Sequence, residues 1–127
     1  MAADNEINDV ILYASAARTA TPTAFNQQDN RFATGIVFTV SCTAVSGSSS
    51  VVFTLEGYDV ASATWYTILA SAAVVSAAVT TYYVFRGATV TTNVSANKLL
   101  PRTWRIKPVH GTADSTTYSV GATMIYN

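Results

Sequence analysis

Phe32-Ala33-Thr34-Gly35-Ile36-Val37-Phe38-Thr39-Val40-Ser41-Cys42-Thr43 decides the fold class. In an extended chain Ile36, Phe38, Val40 and Cys42 fall on one face and Val37, Thr39 and Ser41 on the other, the period of two that marks a half-buried strand. Gly47-Ser48-Ser49-Ser50 breaks the pattern, and Val51 to Tyr58 resumes it with Val51, Phe53 and Leu55 opposed to Val52, Thr54 and Glu56. Strand, Gly/Ser turn and strand read as a hairpin.

The same reading extends outward in both directions. Val10 to Ala14 forms a first strand, followed by a Thr/Ala/Asn/Gln-rich loop from Ser15 to Asn30, with room for one short edge strand near Thr23 to Asn26. After a turn at Asp59 to Thr64, the next strand runs from Trp65 to Ser71 with Trp65, Thr67 and Leu69 opposite Tyr66 and Ile68. Ala72 to Val79 reads as a short strand or an extended connection, and Tyr82 to Arg86 as a strand that ends at Gly87. Ala88 to Ala96 is either one turn of helix or an irregular crossover. Pro101 to Val109 alternates Trp104 and Ile106 against Arg105 and Lys107, and Thr116 to Tyr126 closes the chain. The expectation is an all-β fold, a single antiparallel β-sandwich or jelly-roll domain of about eight strands over residues 10–127. A barrel is the alternative. Residues 1–9 hold Asp4, Glu6 and Asp9 but, after Met1, only one large apolar side chain, Ile7, and read as an extended N-terminal arm.

Composition agrees with strands. Of 127 residues, 66 are Ala, Thr, Val or Ser, and only 11% are charged, well under the usual quarter. Seven Lys and Arg balance seven Asp and Glu, so the chain lacks the cationic surplus that neutralises phosphates, and nucleic acid is not an expected partner. The longest run without charge, Val60 to Phe85, is punctuated by Ser, Thr and Tyr and reads as strands rather than a membrane helix. The acidic N-terminus lacks the basic start of a signal peptide, which leads to the expectation of a protein assembled in the cytoplasm. Cys42 is the lone cysteine, so neither an intramolecular disulfide nor a cysteine-based zinc site can form.

No catalytic constellation emerges, and the expectation is a protein that is not an enzyme and takes no cofactor or metal. His110 shares a turn with Asp114 but has no nucleophile beside it in sequence, and reads as a loop histidine. Cys42 continues a core face. Glu56, Asp59 and Asp114 have no spacing that sets two carboxylates across a sugar-sized cleft, and they give calcium too few oxygens. The rings of Tyr58, Trp65, Tyr66, Tyr82, Tyr83, Phe85, Trp104, Tyr118 and Tyr126 are the sharpest feature. They suit core and subunit contacts, with one ring of each adjacent pair, Trp65-Tyr66 and Tyr82-Tyr83, leaving the interior. Arg86, Arg102 and Arg105 suit carboxylates of a neighbouring subunit.

Four segments resemble a known family. They are Leu12-Tyr13-Ala14-Ser15-Ala16-Ala17-Arg18-Thr19-Ala20-Thr21, Trp65-Tyr66-Thr67-Ile68-Leu69-Ala70-Ser71-Ala72, Leu100-Pro101-Arg102-Thr103-Trp104-Arg105 and Tyr118-Ser119-Val120-Gly121-Ala122. In this order they are similar to small structural proteins of tailed bacteriophages. The resemblance implies a capsid decoration (cement) protein of the virion head that binds the assembled shell through the major capsid protein and forms homotrimers. On that reading Asp4, Glu6, Ile7, Arg18, Tyr66, Tyr83, Arg86, Arg102 and Arg105 are the expected interface residues. A tail-tube or head-tail connector subunit, and a carbohydrate- or receptor-binding module of a phage fibre, remain the alternatives.

Overall fold

The computed structural model describes residues 9–29 and 32–126, which hold nine strands and no helix. The strands are β1 (Asp9–Arg18), β2 (Gln28–Asp29), β3 (Gly35–Val45), β4 (Val51–Asp59), β5 (Thr64–Ala70), β6 (Ala78–Val84), β7 (Ser95–Ala96), β8 (Thr103–His110) and β9 (Thr116–Ile125). They form two sheets, one in the order β1-β9-β3-β6-β7 and the other β2-β8-β4-β5. Every pairing is antiparallel except the short β6–β7 one. The pairs β4–β5, β3–β6, β2–β8 and β1–β9 nest inside one another, as in a single long antiparallel ribbon wound on itself, and β9–β3 and β8–β4 close the coils.

Burial follows the period of two. Ile36, Phe38 and Val40 of β3, Tyr118, Val120 and Ala122 of β9, and Tyr82 and Val84 of β6 meet Val51, Phe53 and Leu55 of β4 and Trp104 and Ile106 of β8 in one core. Phe53 and Tyr118 cross between the sheets edge to face, with ring centroids 5.0 Å apart. The Tyr13 hydroxyl of β1 spans the same gap to donate 2.7 Å to the Ile106 carbonyl.

Three expectations need correction. First, β3 and β4 are not a hairpin but lie in different sheets, so the 46–50 turn is a crossover. It is tied to the second crossover at 111–115. Ser46 N–H donates to the Ser115 carbonyl at 2.9 Å, Gly111 N–H to the Ser50 carbonyl at 2.8 Å, and Ser48 N–H to the Asp114 carboxylate at 2.8 Å. Gly47 sits beneath that carboxylate at φ +54, a left-handed conformation that glycine adopts without strain. Second, β1 continues through Ser15 to Arg18 and begins at Asp9, whose carboxylate accepts from the Thr123 hydroxyl at 2.8 Å. Register shifts on either side of Tyr13 interrupt the alternation, so Leu12 and Tyr13 are both buried. The short edge strand falls at Gln28–Asp29 instead of near residues 23–26. Third, a shift after Leu55 leaves Ile68 without a partner on β4, and Ile68 and Leu69 are both buried. Residues 88–96 form an irregular crossover that carries β7, with Asn93 left-handed at φ 62.

Two glycines should respond differently to alanine. At Gly35 a Cβ would lie 2.6 Å from the Phe85 Cβ and 2.8 Å from the Val84 carbonyl oxygen, groups fixed by the β3–β6 pairing. At Gly57 it would meet the tip of the exposed Tyr66 side chain at 2.6 Å and Pro101 Cγ at 2.7 Å. Gly35→Ala is expected to cost about 2–3 kcal/mol, because backbone has to move, and Gly57→Ala somewhat less, because there the Tyr66 tip can swing out and the Pro101 ring rather than strand backbone has to give. Urea unfolding of both variants checks the order, and a Gly57→Ala loss equal to that of Gly35→Ala would contradict it.

Candidate functional site

Three groups of side chains gather the chemistry of the chain. The first joins the two sheets at the end of β8. His110 Nε2 lies 3.0 Å from the Tyr118 hydroxyl, and its backbone N–H donates 2.9 Å to the Thr21 hydroxyl. The buried Nδ1 has no partner among the described residues. The Arg18 guanidinium covers the Tyr118 ring at 4.6 Å and donates to the carbonyls of Tyr118 at 2.9 Å and Ala14 at 2.7 Å. Asp114 turns instead to the amide of Ser48, so the loop carboxylate and the histidine are not a catalytic pair.

Burial sets the titration of this group. Desolvation, helped by the Arg18 charge, lowers the pKa of His110. Tyr118 is pushed up to about 12 by burial, with Arg18 opposing the shift, and burial also raises Tyr13. A histidine with a depressed folded pKa binds its proton more readily in the unfolded chain, so acid favours unfolding. Stability is therefore expected to be complete above the unfolded value of 6.5 and to fall as pH drops through the lower folded value. At the alkaline end the Tyr118 contribution is present below pH 10 and lost as pH rises through about 12. Urea midpoints at about pH 7.5 and about pH 5.5 test the acid limb, and His110→Gln should flatten it. An unchanged slope in that variant would assign the limb to other groups.

The second group stands on the outer face of the four-stranded sheet. Arg105 of β8 lies directly opposite Glu56 of β4, and its Nε donates 2.7 Å to Oε1. The pair is largely buried, with the two side chains 18% and 13% exposed. Phe25 and Trp65 account for that shielding, with the guanidinium carbon 4.0 Å from the Trp65 ring centre and 4.9 Å from that of Phe25. Tyr58 tilts against Trp65 at 4.9 Å. Trp65, rather than Tyr66, is thus the ring that leaves the interior on the strand face. Arg105 already lies over one face of that ring.

The third group lies where β1 starts and β9 ends. Thr34 N–H donates to the Ile125 carbonyl at 2.7 Å and Leu100 N–H to the Thr34 carbonyl at 2.9 Å, which draws three segments together. Their neighbours Phe32, Leu99 and Tyr126 are 75%, 54% and 44% exposed. Nearby Arg102 donates 2.9 Å to Asp29 in a pair that is 63% and 59% exposed.

The expected interface residues divide along these lines. Arg18 and Arg105 are engaged within the chain. Tyr66 is exposed but folds over Gly57, and Tyr83 is exposed on the outer face of the five-stranded sheet, opposite Val37. Arg86 is exposed, with no hydrogen bond or ion pair among the described residues, and Arg102 is exposed beside Asp29. Asp4, Glu6 and Ile7 lie outside the described residues. Phe25 and Phe32 read in sequence as strand residues and Leu99 as part of a connection, and all three fall outside the strands, so no alternation marks them as site residues.

Among the described residues no three His, Cys, Asp or Glu side chains come together as a metal set, and no helix is long and apolar enough to cross a membrane. Comparisons with protein-family models, with curated proteins and with solved structures find no match.

Proposed function

We propose that the chain is a non-enzymatic structural protein of a phage virion, a jelly-roll decoration protein that binds the assembled head as a homotrimer. The nested order β1-β9-β3-β6 over β2-β8-β4-β5 supports the jelly-roll part of this reading, since a wound antiparallel ribbon yields that order. One observation carries the partner. Phe32, Leu99 and Tyr126 expose apolar side chains on three segments that the Thr34–Ile125 and Leu100–Thr34 backbone bonds draw together, and such exposure on a domain with so few charges favours protein contact. The resemblance of the four segments to small phage structural proteins supplies the identity of that partner, the major capsid protein. On a lattice each contact can be weak while the array holds.

The test is light scattering and co-sedimentation of the purified chain with empty phage heads. A trimer is expected that sediments with heads, and Phe32→Ser with Leu99→Ser is expected to lose at least ~90% of the bound protein while keeping its circular dichroism. A hexamer that ignores heads would move the reading to a tail or connector ring, and a sugar-dependent monomer to a fibre module.

A further inference from the structure

The sheet edges are unequally protected. Along β1, the Asn26 side chain donates to the Leu12 carbonyl, and Arg18 donates to those of Ala14 and Ala16. On β8 the Ile106 carbonyl accepts from Tyr13 and the His110 amide donates to Thr21. On β5 the Ile68 carbonyl accepts from Lys98 at 3.2 Å. Such side-chain plugs are how sheet proteins deny their edges to foreign strands.

The start of β6 lacks them. Tyr83 N–H donates to the Val94 carbonyl and Phe85 N–H to that of Ala96, so odd-numbered residues turn their backbone groups away from β3. A residue in an antiparallel strand points its N–H and C=O to the same side, so Val79 and Thr81 present theirs along the same edge. No bond reaches them there among the described residues. The chain that could continue β7 downward instead turns off through Asn93, held by the Thr91–Ser95 bridge.

Beside this edge opens a cleft of about 290 Å³, lined among others by Val74, Val75, Ala78, Thr80, Tyr82 and Val94. No residue of the lining is charged. A strand laid along Val79 and Thr81 would face alternate side chains into that cleft, the arrangement in which main-chain bonds give affinity and side-chain pockets give selectivity. A charged side chain placed there would lose water and find no partner, whereas a small apolar one would gain from burial.

We infer that the free edge of β6 at Val79 and Thr81, with the uncharged cleft beside it, is a docking slot for an extended, uncharged segment of another polypeptide that carries small apolar side chains at alternate positions. The inference stands apart from the virion reading, because a free peptide reports on it without heads. The probe is the capped pentapeptide Thr-Val-Thr-Val-Thr, with amide hydrogen exchange of the full chain as the readout. Exchange at Val79 and Thr81 is expected to slow about tenfold with peptide while amides of β1 and β5 stay unchanged. The same peptide with glutamate for both valines should give no protection. Ala73→Trp, on the exposed rim of the cleft, should remove the effect while thermal stability is kept. Unchanged exchange, equal protection by the glutamate peptide, or protection that survives Ala73→Trp would each overturn the proposal. So would a dimer of the chain alone that Ala73→Trp dissociates, since a second copy would then be the occupant.

Discussion

Trp104→Ala is expected to be the most damaging single substitution, with a loss of about 3–5 kcal/mol in urea unfolding and a fall of about 10–20 °C in Tm. Trp104 has no solvent exposure and stands in β8 opposite Gly57, where the two sheets close on the core. Truncation removes the largest fully buried side chain and leaves a hole that strands paired on both sides cannot collapse to fill. A domain of this size commonly holds about 5–15 kcal/mol, so the variant sits near the threshold of folding. Trp104→Phe discriminates between two contributions. The indole Nε1 is buried without a partner among the described residues, and an orphaned donor costs about 1–3 kcal/mol. Phenylalanine gives up some packing but removes that orphan, so a net loss of only about 1 kcal/mol is expected. A Phe variant as unstable as the Ala variant would show that the indole N–H is satisfied in solution, by water for example.

What sequence reading recovers follows from how each strand is supported. β3 pairs on both sides with no register shift from Ile36 to Cys42, so Ile36, Phe38, Val40 and Cys42 are all buried as their alternation predicts. β1 pairs on one side only, and its shifts around Tyr13 place two consecutive side chains inside, which a period of two cannot anticipate. The misread hairpin has a different origin. Gly47 and its serines supply the turn chemistry that a hairpin needs, and a crossover between sheets needs the same chemistry. Only long-range partners such as Ser46 with Ser115 separate the two, and those lie 69 positions apart. For the candidate sites, alternation placed Arg105 outside the core, and the preference of arginine for carboxylates was met. The carboxylate proved to be Glu56 of the same chain, because β4 and β8 are neighbours, and that adjacency is not written in either segment. Phe25 was invisible for a simpler reason: a single ring in a loop carries no pattern.

The second large effect is expected from the Glu56–Arg105 pair, and its form matters more than its size. Arg105→Ala removes the ion pair and both ring contacts, and strands a carboxylate that is only 13% exposed, so a loss of about 3 kcal/mol is expected. Glu56→Ala leaves the guanidinium against Trp65 and Phe25 and should cost about 2 kcal/mol. The double variant should lose about 3 kcal/mol instead of their sum, a coupling of about 2 kcal/mol. Arg105→Lys should recover little, since an ammonium has no flat face to lay on Trp65. Salt supplies the control. The exposed Arg102–Asp29 pair should show a coupling of at most about 1 kcal/mol that about 1 M salt abolishes, while the shielded pair keeps most of its own. Because Phe25 belongs to the connection between β1 and β2, Arg105→Ala should also release that connection, and amides near Phe25 should exchange faster than the global loss of stability accounts for, with the urea m-value unchanged. Additive losses, with no change in exchange near Phe25, would mean that the stacked arginine merely occupies the sheet face and fastens nothing to it.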